Sequence, residues 1–510
     1  MIRLIRMPKA LGHWFKRRLM RRTRPLHDQD QPEDSEGLLD QEKENATKPT
    51  IRLTWLRCNI AFPGVTALLL LAVAYRSRPR THLPCRQNAQ ILHLVIPTSD
   101  LDPELCRTVL SAEVLHYSTP TLVQWDAVPG DGLADVQPRT TAVRDHLGNL
   151  KENHENDTVI LLDSVSTWFQ LRPEVLLKRY YGIISKGNQR LAARIGQKAM
   201  QEEGVKQSVV FSASSTCGAA EERCSQVPES PLVHKVSRAT EPRNREQGIA
   251  IGPVKDLYEI YRRAVATIER TEDLHLSELA VFSEIFSNQE HHRGLIQPVT
   301  RSWSPRFRGW LTGSYAHGPL ARKNMTVPQK ITNDNDFGIG LDYAGELTFD
   351  TASMSEGYAW AKHMTLPSDI LTLMPPFWTT TGQGLPSEKT WSDLSLFTNT
   401  RTQAIPAAVR HHSDATNNHY ARQKLWQQLW LSQYSRKLFG AYTSVPAMPL
   451  ATVVDNDNVE QVFWSTTTGE KAGVKWSNGT WLGWNDLCKG EQLANEIFGD
   501  GLGEWTSPAP

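Results

Sequence analysis

The chain sets short apolar runs between helical stretches, and that alternation constrains its fold more than any other feature. ILHLVIP at 91–97, TVILL at 158–162, SVVFS at 208–212 and GIAIGP at 248–253 are apolar runs bounded by turn residues. A strand wetted on one face alternates apolar with polar residues, whereas one covered on both faces need not, so these runs read as fully buried strands. A further strand candidate lies at 121–125. Between them, 100–117 carries Leu105, Val109, Ala112 and Leu115 on one helical stripe, and 139–153, 173–181, 186–203 and 254–270 also read as helices. Strands alternating with helices predict an α/β fold with a parallel-rich sheet covered on both faces. Ligands of such sheets sit at the carboxyl ends of the strands, which directs attention to 97–100 and 163–169. Residues 214–247 read as a polar loop excursion, 271–290 as another helix, and the chain beyond 300 as irregular. Strand pieces are expected there at 337–341, 391–399 and 403–411, with a helix at 417–439.

Whole-chain averages conceal a second organisation. Over 510 residues, 56 Lys and Arg against 55 Asp and Glu leave a formal charge of +1, which argues against a wholly basic nucleic-acid binder. A hydrophobic content of 39% suffices for a core and excludes global disorder. A mean hydropathy of −0.43 excludes a many-span membrane protein but not a single span. Residues 1–24 hold nine basic side chains and no acid, and 28–44 hold eight acids against Lys43 alone, so 1–54 reads as a disordered tail. The uncharged run CNIAFPGVTALLLLAVAY at 58–75, flanked by Arg57 and Arg76, is long enough to span hydrocarbon. A buried core helix is the competing reading; the Arg flanks favour a membrane anchor over 55–76. Lys48, Arg52 and Arg57 nearly balance Arg76, Arg78, Arg80 and Arg86, and the basic residues further upstream place the N-terminus in the cytosol. The expected topology is therefore single-pass type II in the Golgi or endoplasmic reticulum membrane, with a lumenal body from about residue 82. Sequons at Asn156, Asn324 and Asn478 agree with it. Of the lumenal cysteines, Cys217 with Cys224 and Cys85 with Cys106 are the pairings that short spacing offers, which leaves Cys488 over.

Asp163, ending the TVILL run, is the leading site candidate. A carboxylate at the end of a buried strand is placed either to hold a hard cation that shares its oxygens with a substrate's phosphates, or to cap the next turn. Thr98 and Ser99 end the first strand, facing a nucleotide or simply turning the chain. The adjacent pairs His291-His292 and His411-His412 are set aside, because neighbouring side chains diverge. Asp334, Asn335 and Asp336 lack the later spacing of a calcium loop. Trp168 and Phe169 read as core, and Arg190, Arg194 and Lys198 as a solvated helical face. No glycine-rich phosphate loop is present.

Taken in order, these segments resemble the glycosyltransferase domain of procollagen lysyl hydroxylases and its fungal relatives. ILHLVIPTSD resembles the first nucleotide-binding strand, TVILLDSVSTWFQLRPEVLLKRY the strand, D-x-x-D metal motif and following helix, and VVFSASSTC the F-S-A-x-x-x-C strand. GIAIGPVKDL resembles the end of the N-S-G stretch, LSELAVFSEIFSNQE the S-D-Q-x-x-F helix, and IGLDYAGELTFDT a final L-D-x-x-x-x-L-F strand. The resemblance implies a GT-A-like, Rossmann-type mixed sheet that binds a UDP-sugar with Mn²⁺ or Mg²⁺. It implies a nucleotide-sugar domain over 82–300 completed by 301–510, and transfer of a sugar to a glycan or protein acceptor. Carried over, the metal-ligand positions are Asp163, Ser166 and Asp342, with Thr98, Ser99 and Asp163 near the nucleotide. Four departures stand out: Ser166 replaces the second Asp of D-x-x-D, Glu246-Gln247-Gly248 replaces N-S-G, Ser277-Glu278-Leu279 replaces S-D-Q, and Gly218-Ala219 replaces the W-P after the Cys. They keep open an alternative, a catalytically inactive lumenal binding protein on the same fold.

Overall fold

The computed structural model describes residues 87–126, 136–163, 165–214, 244–271, 277–296, 335–351, 357–379, 384–411, 419–443, 448–466 and 472–506. All fall within one compact unit, His82–Pro510. The tail and span expected over 1–76 lie outside the described residues, as do the sequon at Asn324 and Cys85, Cys217 and Cys224. Among the described residues no helix is long and apolar enough to cross a membrane.

In chain order the first half comprises β1 (Gln87–Thr98), α1 (Pro103–Val114), β2 (Pro120–Gln124), α2 (Val136–His154), β3 (Thr158–Leu162), β4 (Thr167–Phe169), α3 (Pro173–Ile195), α4 (Gln197–Glu203), β5 (Val209–Ser214), β6 (Asn244–Pro253), α5 (Val254–Arg270) and α6 (Glu278–Leu295). The second half comprises β7 (Ile339–Asp342), β8 (Thr348–Asp350), β9 (Tyr358–Ala361), α7 (Ser368–Leu371), β10 (Leu396–Asn399), β11 (Ala408–Arg410), α8 (His419–Gln428), α9 (Ser435–Tyr442), β12 (Ala451–Val454), β13 (Glu460–Trp464), β14 (Gly473–Trp476), β15 (Trp481–Gly483), α10 (Trp484–Leu487) and α11 (Glu491–Phe498).

The main sheet runs β15-β14-β2-β1-β3-β6-β5-β7. Strand β1 is parallel to β2 and β3, β14 to β2, and β5 to β7, whereas β6 is antiparallel to both of its neighbours. The result is a mixed α/β fold with a mostly parallel central sheet flanked by helices, consistent with a Rossmann-like arrangement. Alternation along the buried strands feeds two cores. Ile160 and Leu162 face one side with α1 and α3, and Val159 and Leu161 face the other with α2, α5 and α6. Strand β3 is buried at every residue, so truncating Leu161 to Ala there costs about 2–5 kcal/mol.

Local chemistry sets the helix ends. Asp102 caps α1 by accepting the Glu104 N–H at 2.7 Å, with Pro103 at the first helical position. Ser277 caps α6 through the Ala280 N–H at 3.2 Å. Helix α5 buries Val254, Leu257, Ile260, Tyr261 and Ala264, the spacing of one apolar face. Gly196, at φ 91°, divides what the sequence suggested was helix through 203 into α3 and α4. The expected helix at 417–439 is likewise broken, into α8, a short 3₁₀ turn at Ser432–Tyr434, and α9.

Two features of the second half depart from expectation. The irregular C-terminal stretch supplies β14 to the main sheet, beside β2. It also carries Cys488, which is not left over but bonded to Cys106, 382 residues away in sequence. The pairing of Cys106 with Cys85 is thereby corrected. The physical reason is topological: β14, β15 and α10 return the chain over α1. There the Gly473 N–H donates to Glu113 at 2.7 Å and Cys106 lies 3.8 Å from the Leu487 carbonyl oxygen.

Candidate functional site

The carboxyl edge of β1 and β3 gathers most of the residues the sequence singled out. Asp163 follows β3 directly and is buried. Its N–H donates to the Gly248 carbonyl at 2.9 Å, and its Oδ2 accepts the Gly248 N–H at 3.0 Å. A side chain at position 248 would force its neighbours to shift. A Cβ there would lie 2.6 Å from Ser212 Oγ and 3.3 Å from a Thr348 methyl. Arg139 on α2 donates to the Asp163 carbonyl, pairs with Glu278 at 2.5 Å and stands 5.6 Å over the Trp125 ring. Burial alone would lower the Arg139 pKa, but the facing Glu278 and Asp163 outweigh it and raise it. Glu278, which replaces the Asp of the expected helix start, thus fixes Arg139 behind the site. The side chains of Glu246 and Gln247 lie outside the described residues.

Thr98 ends β1 and Ser99 follows it, one strand from Asp163. The Thr98 hydroxyl donates to the Asp100 carbonyl, a local turn contact, while Ser99 stays half-buried. Ser166 is buried and is held from two directions. The Thr108 hydroxyl of α1 donates to the neighbouring Val165 carbonyl, and the His411 N–H, just past β11, donates to the Ser166 carbonyl at 2.9 Å.

His411, set aside in the sequence as one of an adjacent pair, lies opposite Ser166 across β4 and β11. Its ring stacks on Trp168 with centroids 5.9 Å apart at 19°, and its Nδ1 lies 3.5 Å from Thr351 Oγ1. As one of an adjacent pair it carried no metal signal. What brings it here is the small sheet β4-β11-β8, in which Thr167 pairs with Arg410 and Arg410 with Asp350. His412 lies outside the described residues. Trp168 is 1% exposed and packs on Trp426, and Phe169 stacks on Tyr117, so both serve the core.

Asp342 lies further along the sheet. It ends β7, in register with Ser212 of β5. Between it and Asp163 lie β6 and β5, so three strand spacings separate the two, about 14 Å between Cα atoms. Its Oδ2 accepts the Leu347 N–H at 2.7 Å, while its Oδ1 has no hydrogen-bond partner among the described residues. Burial, with help from Glu346, raises its pKa to about 6. It lines a cleft of about 610 Å³ together with Lys178, Arg179 and Thr402. Of the residues set aside in the sequence, Asp336 is committed to Arg293, at 2.6 Å and 2.8 Å.

Fold and edge together define an α/β protein with a buried carboxylate, Asp163, at the strand ends where a parallel-rich sheet offers its ligand site. Compared with known proteins, the chain matches no family model and no curated relative.

Proposed function

We propose that the chain is a metal-dependent glycosyltransferase that moves a sugar from a UDP-sugar to a glycan or protein acceptor on a GT-A-like fold. In this reading it is a single-pass type II protein of the Golgi or endoplasmic reticulum membrane with its body in the lumen. The observation that carries the reading is the buried Asp163 at the end of β3, one strand from Thr98 at the end of β1 and three residues before the buried Ser166. A carboxylate followed by a hydroxyl at that strand end suits a divalent cation such as Mn²⁺ that takes its remaining oxygens from a diphosphate. When bound, the cation would act as a Lewis acid on the charge of the departing nucleotide. The chain's own part is positional. Asp163 is fixed by Gly248, Arg139 holds the turn from behind, and the end of β1 offers the Thr98 and Ser99 backbone and hydroxyls to the nucleotide. The buried Cys106–Cys488 bond and the exposed Asn156 and Asn478 sequons favour an oxidising lumen.

One departure favours the inactive alternative: Ser166 stands where the resemblance expects a carboxylate. The two readings separate in a turnover assay on the full-length chain with Mn²⁺ and a panel of UDP-sugars. Release of UDP that disappears in Asp163→Asn supports the transferase. Binding of a UDP-sugar without release of UDP supports the inactive form.

A further inference from the structure

At the opposite end of the sheet, three side chains from separate elements converge on one point. His93 lies in the middle of β1, in register with Val159 at the start of β3. His154 ends α2, and the turn that follows closes through the Asp157 N–H onto the His154 carbonyl at 3.0 Å. Asp157 Oδ2 then lies 2.8 Å from His154 Nδ1 and 3.4 Å from His93 Nε2, and all three atoms fall within 4.8 Å of one another. The other carboxylate oxygen, Oδ1, accepts the Ile91 N–H at 3.2 Å, which fixes the plane of the group. The side chains of His93, Asp157 and His154 are 7%, 15% and 39% exposed, so the cluster is walled on the sheet side and open to solvent past His154.

We propose that His93, His154 and Asp157 form a binding site for a borderline divalent cation, Zn²⁺ above the hard cations. Zinc bound by nitrogen and oxygen at about 2.0–2.1 Å sets its tetrahedral ligands about 3.3 Å apart. The two separations from Asp157 bracket that spacing. Two imidazoles and one carboxylate select zinc over Mg²⁺ or Ca²⁺, which prefer all-oxygen sites. Three protein ligands leave a fourth position on the open side for water. The ion would tie β1 to the α2–β3 turn, and Thr98 stands about 16 Å further along β1, so this site is separate from the carboxyl edge.

The test uses the full-length chain, stripped with a chelator and dialysed against Zn²⁺ alone. Wild type is expected to retain one zinc more than Asp157→Asn or His154→Ala, with at least tenfold weaker binding in either variant. Asp163→Asn is expected to retain that zinc. Replacement by Co²⁺ should give a tetrahedral visible spectrum in wild type that His154→Ala lacks. His154 is partly exposed, and circular dichroism of this variant controls for folding. Equal zinc content in wild type, Asp157→Asn and His154→Ala would overturn the proposal, as would loss of the zinc in Asp163→Asn or its absence from wild type.

Discussion

Glu113 offers a quantitative test of how the C-terminal strands are joined to the sheet. Its side chain is 1% exposed on α1; Oε1 accepts the Gly473 N–H at 2.7 Å, and Oε2 has no partner among the described residues. Burial raises its pKa from 4.5 to about 8, against a smaller lowering by that backbone hydrogen bond. The folded state therefore holds a proton that the unfolded chain releases above pH 4.5. Stability is full below that pH, falls as pH rises, and levels off above about 8. At about 1.4 kcal/mol per pH unit the loss amounts to about 5 kcal/mol across the window, of which about 3 kcal/mol is gone by pH 7. Glu113→Gln keeps the acceptor for Gly473 and cannot ionise. The difference in unfolding free energy between variant and wild type should thus grow by several kcal/mol between pH 5 and 8. His116 and His146 act in the opposite sense. Burial, aided by Arg172 and by His93 respectively, lowers both to about 4, so each costs stability as pH falls below 6.5. Those contributions are common to both proteins and cancel in the difference. Urea titrations of the full-length chain at several pH values give the comparison. A gap that stays constant from pH 5 to 8 would refute the reasoning.

Further outcomes follow from the same contacts. Replacing Cys106 and Cys488 together by Ser should cost about 2–4 kcal/mol, and reduction should cost the wild type the same while leaving the variant unchanged; denaturation with and without reductant checks both. Gly248→Ala forces a Cβ against Ser212 and Thr348, so it should lower stability by about 1–3 kcal/mol in urea titrations. It should also weaken Mn²⁺ binding through Asp163. Ser166→Asp adds a charge three residues after Asp163 and, on the proposed site, should tighten Mn²⁺ binding; calorimetry with the ion alone measures it.

What the sequence disclosed follows from where its information is local. Strand β3 was legible as TVILL because burial on both faces leaves an unbroken apolar run after Thr158, and α5 because its apolar stripe has one period throughout. Asp163 was legible for the same reason: it is the first charge after such a run. Strand β14 was not, since Gly-Val-Lys-Trp is short and mixed and becomes a sheet strand only through its pairing with β2. Cys106 and Cys488 carry no spacing signal across 382 residues. His411 reaches Ser166 only because β11 inserts between β4 and β8, and Asp342 lies further along the sheet because β6 and β5 intervene. Each of these depends on strand order, a long-range property that neither periodicity nor an aligned motif encodes.

The central claim is that the carboxyl edge around Asp163 binds a nucleotide sugar with a divalent cation. Thermal unfolding of the full-length chain against a panel of UDP-sugars, with and without Mn²⁺, tests it most directly. The account predicts a rise in midpoint that needs nucleotide and Mn²⁺ together and vanishes in Asp163→Asn. No rise with any UDP-sugar, or a rise that Asp163→Asn retains in full, would contradict it.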